Sequence, residues 1–212
     1  FYEFDSTPFI GNIDLNDTIT KSEVGKYSFA VSNITDHLYG LTVFVTNTVD
    51  VIFDSVTIEI DIDNKRVNIG TNASTQVNGF YNYDNTRFDG IISLNNTVFL
   101  SDTIGKIGYT VSSIGEDSFG ITVISNNDVA SIIFDRVLIT LLSVDNRFDV
   151  GSDSSIIFEG FYEYDDSVFL GNIILNDTST KFDVGKVTYG VESISDSIYN
   201  LTLFNSNTVD II

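Results

Sequence analysis

The side chains able to do chemistry in this chain are overwhelmingly carboxylates. Thirty Asp and Glu stand against ten Lys and Arg and a single His37, a formal net charge of -20 over 212 residues, and Cys, Met and Trp are absent. Without a thiol there is no disulfide framework, no zinc–thiolate or iron–sulfur site and no cysteine nucleophile. One imidazole leaves His-rich metal sites and most histidine-based catalysis without their parts. A surface of this sign repels phosphate backbones, so nucleic acid is not an expected partner. Paired carboxylates can run a glycosidase, but thirty acids produce close pairs by chance. No Ser has a His partner in a matching context. His37 lies in the turn-like stretch Thr35-Asp36-His37-Leu38, with Asp117 and Ser197 or their neighbours as its repeat counterparts, and reads as a solvated turn residue. No catalytic residue is assigned, and a pocket with convergent polar groups is not expected.

Three sets of residues remain as candidates for binding or modification. Six Asn-x-Ser/Thr sequons start at Asn16, Asn33, Asn72, Asn95, Asn176 and Asn200. On exposed loops of a secreted chain these are glycan acceptors; the same tripeptides are also good turn formers after a strand. Carboxylates cluster as Asp61, Asp63 and Asn64, and again as Asp145, Asn146 and Asp149. Oxygen ligands at alternate positions can hold calcium. The basic neighbours Lys65-Arg66 and Arg147 favour the plainer reading of an acidic turn partly neutralised beside it. No other cofactor is expected. Tyr2, Tyr81 and Tyr162, each next to a Phe expected to be buried, fit core or cross-strand packing, with a sugar platform as the alternative.

The elements that would position these residues follow from an internal repeat. Phe1-Tyr2-Glu3-Phe4-Asp5 recurs as Phe80-Tyr81-Asn82-Tyr83-Asp84 and as Phe161-Tyr162-Glu163-Tyr164-Asp165, at intervals of about 80 residues. Gly11, Gly90 and Gly171 keep step with it, as do Leu15-Asn16-Asp17-Thr18, Leu94-Asn95-Asn96-Thr97 and Leu175-Asn176-Asp177-Thr178. Gly25-Lys26, Gly105-Lys106 and Gly185-Lys186 follow in register, then Asn47, Asn127 and Asn207. Within each repeat the apolar period is two: Val56, Ile58, Ile60 and Ile62 share one face of Asp54–Ile62, and Lys26–Val31 alternates likewise. Thr, Val, Ile, Tyr and Phe fill these runs, Asn, Asp, Ser and Gly the gaps, and no stretch has the period of an amphipathic helix. An all-β chain of tandem immunoglobulin-like β-sandwich repeats is expected. Phe53-Asp54-Ser55-Val56 matches Phe134-Asp135-Arg136-Val137, which sets the repeats at 53–133 and 134–212. Residues 1–52 are then a partial repeat lacking its first strand, completed either by chain further upstream or by a strand donated from a neighbour.

The run Gly160-Phe161-Tyr162-Glu163-Tyr164-Asp165, then Phe169-x-Gly171, Leu175-Asn176, Val184-Gly185-Lys186 and Tyr189, resembles tandem bacterial-immunoglobulin-like repeats of prokaryotic, especially archaeal, cell-surface, S-layer-associated and filament proteins. That resemblance implies extracellular stalks, adhesins, sheaths or filaments with no shared catalytic residues. The junctions depart from calcium-dependent cadherin-type repeats in lacking Asp-x-Asn-Asp-Asn.

Taken together, these readings expect a structural, non-enzymatic segment of an extracellular rod, sheath or filament. Its partners would be copies of itself or further repeats of the same chain, joined in part by strand donation. The alternative is an adhesin module recognising a glycan or a surface protein. No apolar run reaches the roughly 18 to 20 residues of a membrane span, and no basic stretch leads into an apolar one, so no signal peptide is expected within these residues. Beginning at Phe1, the chain reads as a processed product or as part of something longer.

Overall fold

The period-two alternation read along the chain is followed by its backbone. In the computed structural model, which describes residues 1–17 and 19–212 and, at Asn127, the backbone, strands are the regular elements and no helix occurs among the described residues. No helix there is accordingly long and apolar enough to cross a membrane. The chain is all-β. The first repeat contributes β1 (Gly11–Leu15), β2 (Gly25–Phe29), β3 (Val31–Asp36) and β4 (Val49–Phe53). The second contributes β5 (Val56–Ile62), β6 (Arg66–Asn68), β7 (Thr75–Tyr81), β8 (Ile91–Leu94), β9 (Gly105–Gly115), β10 (Ile124–Asn127) and β11 (Val129–Asp135). The third contributes β12 (Val137–Ser143), β13 (Ile156–Tyr162), β14 (Asn172–Leu175), β15 (Val187–Tyr189), β16 (Val191–Ser195), β17 (Phe204–Ser206) and β18 (Val209–Ile211).

Two compact units result, each assembled from separated segments: residues 1–59, 78–93 and 113–127 form one, and residues 60–77, 94–112 and 128–212 the other. In the first unit β1 pairs antiparallel with β3, β2 with β4, and β5 lies between β10 and β7. In the second, β12 lies between β13 and β17, β14 pairs with β16, β15 with β18, and β11 lies between β6 and β9.

The repeat is conformational as well as textual. Gly25 faces Phe53 across β2–β4, and Gly105 faces Phe134 across β9–β11. The β1–β3 ladder shifts register between Asp14 and Leu15, and the β14–β16 ladder between Ile174 and Leu175. β10 runs parallel to β5, and β17 runs parallel to β12. The inward residues of the first strands are buried: Val56, Ile58 and Ile60 in β5, and Val137, Ile139 and Leu141 in β12. In the third repeat the latter three pack with Tyr162, Phe169, Ile194 and Leu201 into one core.

The landmark glycines divide into two kinds. A Cβ on Gly11, Gly90 or Gly171 would lie 2.0 Å from the Thr35 carbonyl, 2.4 Å from that of Gly115 or 2.3 Å from that of Ser195. Only a residue without a side chain lets the two backbones approach so closely. Gly105 and Gly185 meet nothing within 4 Å, and the structure gives no steric reason for their recurrence. Lys26–Val31, expected as one run, divides at Ala30 between β2 and β3.

In the first repeat the counterparts of β5 and β7 are not among its residues, and the consequence is local. Residues 44–46, which match β10 and β17 in sequence, form no strand, because the strand those two pair with is missing. Leu41 is 49% exposed where its counterpart Leu201 is 1% exposed. Phe9, Ile13, Ile34, Leu41 and Phe44 line an open groove of about 830 Å³, and their counterparts are the core residues packed around β12.

Candidate functional site

The most heavily constrained polar cluster is a joint between the second and third repeats, within the second unit. β6 runs parallel to the end of β11, with Arg66 opposite Ile133 and Asn68 opposite Asp135. This turns the Arg66 side chain away from solvent and into the third repeat, where it is 4% exposed. Its guanidinium lies 4.6 Å from the ring centroid of Tyr162 and 4.8 Å from that of Tyr199. Those two rings meet edge to face, 5.3 Å apart at 78°. Cation–π attraction of this kind strengthens as the cation is desolvated.

Two carboxylates complete the cage. Arg66 Nη2 donates to Asp165 Oδ2 at 2.5 Å, and Nη1 lies 3.2 Å from Asp135 Oδ2. The second contact is an ion pair without hydrogen-bond geometry: Arg66 Nε and Nη1 and Asp135 Oδ2 have no hydrogen-bond partner. Asp135 is completely buried, and its Oδ1 accepts the N–H groups of Arg136 and Tyr164. Burial raises its pKa, against the N–H donors and the nearby guanidinium. Asp165 is held down at about 2, first by the Arg66 hydrogen bond and then by the Ser167 hydroxyl. A buried pair of this kind gives little net stability, but losing one partner is costly, so it fixes register between the elements it joins.

Asn68 braces the same joint. Its Oδ1 accepts the N–H groups of Thr202 and Leu203 at 3.1 and 3.0 Å, and its Nδ2 donates to Thr202 Oγ1 at 3.1 Å.

An Asp supports each aromatic pair, buried in the first and third repeats and half-buried in the second. Asp196 accepts the Tyr162 hydroxyl and the N–H groups of Ile198, Tyr199 and Leu201. Asp36 does the same for the Tyr2 hydroxyl and the N–H groups of Leu38, Tyr39 and Leu41. Burial raises the pKa of Asp36, but these donors outweigh it and bring it to about 2. In the second repeat Asp117 accepts Tyr81, Phe119 and Ile121. Asp117 is therefore the counterpart of Asp36, not of His37. His37 is exposed and donates its backbone N–H to Ile10.

The residues singled out from sequence fare differently. Tyr81 and Tyr162 are buried, as core packing expects, while the neighbouring Phe80 and Phe161, expected to be buried, are half-exposed. The Tyr162 hydroxyl donates to the buried Asp196 and that of Tyr81 to Asp89 and Asp117. Asp61, Asp63, Asp145 and Asp149 are exposed, and no three carboxylate or imidazole groups gather to hold a metal among the described residues. Arg66 does not neutralise Asp61 and Asp63; it points inward. All six sequon asparagines are exposed. Asn16, Asn95 and Asn176 also clamp the neighbouring strand: Oδ1 accepts from Ala30, Thr110 and Gly190 respectively, and Asn16 and Asn176 donate Nδ2 to Ser28 and Thr188. That clamp accounts for their recurrence. Thr18 of the Asn16 sequon lies outside the described residues.

Sequence reasoning missed Arg66 as a joint residue and Asp36, Asp117 and Asp196 as the supports of the aromatic pairs. The available signal for the first was Arg147, one repeat further on. Compared with models of known protein families and with curated proteins, the chain matches none.

Proposed function

We propose that the chain is a structural protein of the cell exterior, a segment of a rod, sheath or filament built from immunoglobulin-like sandwiches. The observation that carries this reading is Arg66, a residue of one repeat buried in an aromatic and carboxylate cage of the next. A joint of that kind resists bending where a solvated linker would not, as an array that transmits force along its length requires. The sandwich reading is supported by the first strand of a repeat lying between a following strand, β7 or β13, and the penultimate one, β10 or β17, to which it runs parallel. The recurrence of landmark residues favours a shared mechanical role over a single catalytic centre, so the reading includes neither a catalytic residue nor a cofactor. Six exposed sequon asparagines suit a glycosylated extracellular surface.

Strand donation belongs to the same reading. The open groove of the first repeat has the lining that the third repeat places around β12, so it suits an extended strand with apolar residues at alternate positions. The groove also favours a second reading, an adhesin module, because it is confined to one repeat. Antibody labelling of intact, unpermeabilised cells tests the main proposal. Label on the cell exterior along continuous structures is expected; label reached only after permeabilisation removes the proposal.

A further inference from the structure

We infer that the chain associates head to tail with a second copy of itself, Arg147 of one molecule entering the Tyr2–Tyr39 cage of the next. The inference rests on the structural-array reading above and deepens it by naming the partner and the contact.

The cage is already assembled in the first repeat. The Tyr2 and Tyr39 rings stand 5.1 Å apart at 76°, against 5.3 Å at 78° for Tyr162 and Tyr199 around Arg66. The Tyr2 hydroxyl donates to Asp36 at 2.7 Å, as that of Tyr162 donates to Asp196 at 3.0 Å. Asp5 is held by the N–H and hydroxyl of Thr7, as Asp165 is by those of Ser167. Yet no guanidinium lies over Tyr2 or Tyr39 among the described residues, and Tyr39 is 65% exposed.

The arginine is presented in the third repeat. Ile133 donates its N–H to the Lys65 carbonyl, the residue before Arg66; Ile212 donates to the Asn146 carbonyl, the residue before Arg147. The backbone thus offers Arg147 from the same rung that offers Arg66. Arg147 is exposed and has no ion pair among the described residues. Charge complementarity favours the match, because the cage holds Asp5 and Asp36 with no cation.

The brace has its counterpart too. Asp149 stands one repeat on from Asn68, and Thr42 and Val43 stand two repeats before Thr202 and Leu203. The N–H groups of Thr42 and Val43 make no hydrogen bond among the described residues, and a carboxylate accepts from two such donors as readily as an amide oxygen does. The second repeat's Tyr81–Phe119 pair has similar geometry, 5.5 Å at 76°. There, the preceding repeat is the first, which runs into the second through β4 and the Phe53-Asp54 connection.

Sedimentation velocity of the 212-residue chain over a range of concentrations tests this. Self-association is expected, weakened at least about tenfold by Arg147→Ala or by Tyr39→Ala, as for loss of an arginine or tyrosine anchor. Phe119→Ala is expected to leave it unchanged. Each weakened variant keeps the half of the contact that the other lacks, so mixing them should give a one-to-one dimer and nothing larger. Circular dichroism of these surface variants confirms that they are folded. A chain monomeric at every concentration, association indifferent to Arg147→Ala, or a mixture that fails to dimerise overturns the inference. Labelling of the cell exterior is read independently, so a monomeric chain would remove this contact and leave the array reading standing.

Discussion

Arg66 and Tyr162 belong to different repeats, yet the guanidinium of one lies 4.6 Å from the ring centroid of the other, with both side chains buried. A contact buried to that degree forms only if the two repeats meet at one angle and one register. The joint therefore behaves as part of the core of its unit.

Removing the cation should be the most damaging single change at the joint. Arg66→Ala leaves Asp135 buried with its Oδ2 unpartnered and is expected to cost about 3–5 kcal/mol. The double variant Arg66→Met, Asp135→Asn keeps the volume without the buried charges and should recover most of that loss. Urea unfolding followed by circular dichroism measures both. A loss below about 1 kcal/mol for Arg66→Ala is the value of an exposed pair and would mean that the cage opens in solution.

Acid should leave the protein unaffected until the low-pKa carboxyls titrate. Asp165 sits at about 2 because of Arg66 and Ser167, and Asp89 at about 2 because of the Ser118 and Tyr81 hydroxyls and the Ser118 N–H. Their folded pKa lies below the ordinary 3.8, so their contribution is fully present above about pH 4 and is lost as pH falls toward 2. Asp135 runs the other way: burial raises its pKa, so its protonation relieves a cost. The thermal midpoint, by scanning calorimetry, is expected to hold from neutral pH down to about 4 and to fall below it. A steep fall already above pH 5 would contradict this assignment.

The two kinds of recurring glycine should respond oppositely to alanine. Gly171→Ala forces a methyl against the Ser195 carbonyl and the Phe169 ring, at an expected cost of about 1–3 kcal/mol. Gly185→Ala meets open space and should be neutral or stabilising by up to about 1 kcal/mol through the unfolded chain. Equal effects in thermal unfolding would mean that the approach of β14 to β16 is looser than described.

Sequon variants should separate structure from glycan attachment. Asn176→Ala removes the clamp to Thr188 and Gly190, and about 1 kcal/mol of stability with it, in material with or without sugar. Asn72→Gln should leave the unfolding midpoint unchanged and alter only intact mass. An Asn176→Ala protein as stable as its parent would return that residue to the class of simple turn formers.

A peptide of the β5 sequence, residues 53–63, should bind the intact chain one to one if the first-repeat groove accepts a strand. Its Ile58→Asp form should not bind, nor should the chain carrying Leu41→Asp bind the parent peptide. Fluorescence polarisation with a labelled peptide reads all three. Binding that survives Leu41→Asp would place the peptide elsewhere and count against strand donation.

Much of the architecture was legible in the residues. Alternation at period two marked β5, the match of Phe134-Asp135 to Phe53-Asp54 marked the entry to β12, and the repeated Gly and Asn landmarks set the register that Gly25–Phe53 and Gly105–Phe134 share. Short-range pattern suffices there, because a strand declares which face is buried by its own sequence. What the alternation could not declare was partnership across repeats. Arg66 beside Lys65 reads as one more solvated charge in an acidic turn; only the parallel pairing of β6 with β11 aims it at Tyr162 and Tyr199. Residues 44–46 carry the pattern of β10 and β17 and form no strand, because a ladder needs a second strand and its place in the first repeat is empty. Composition and periodicity determined an all-β repeat; tertiary structure decided which charge is buried and which groove stands open, since both depend on groups far apart in the chain arriving at one place.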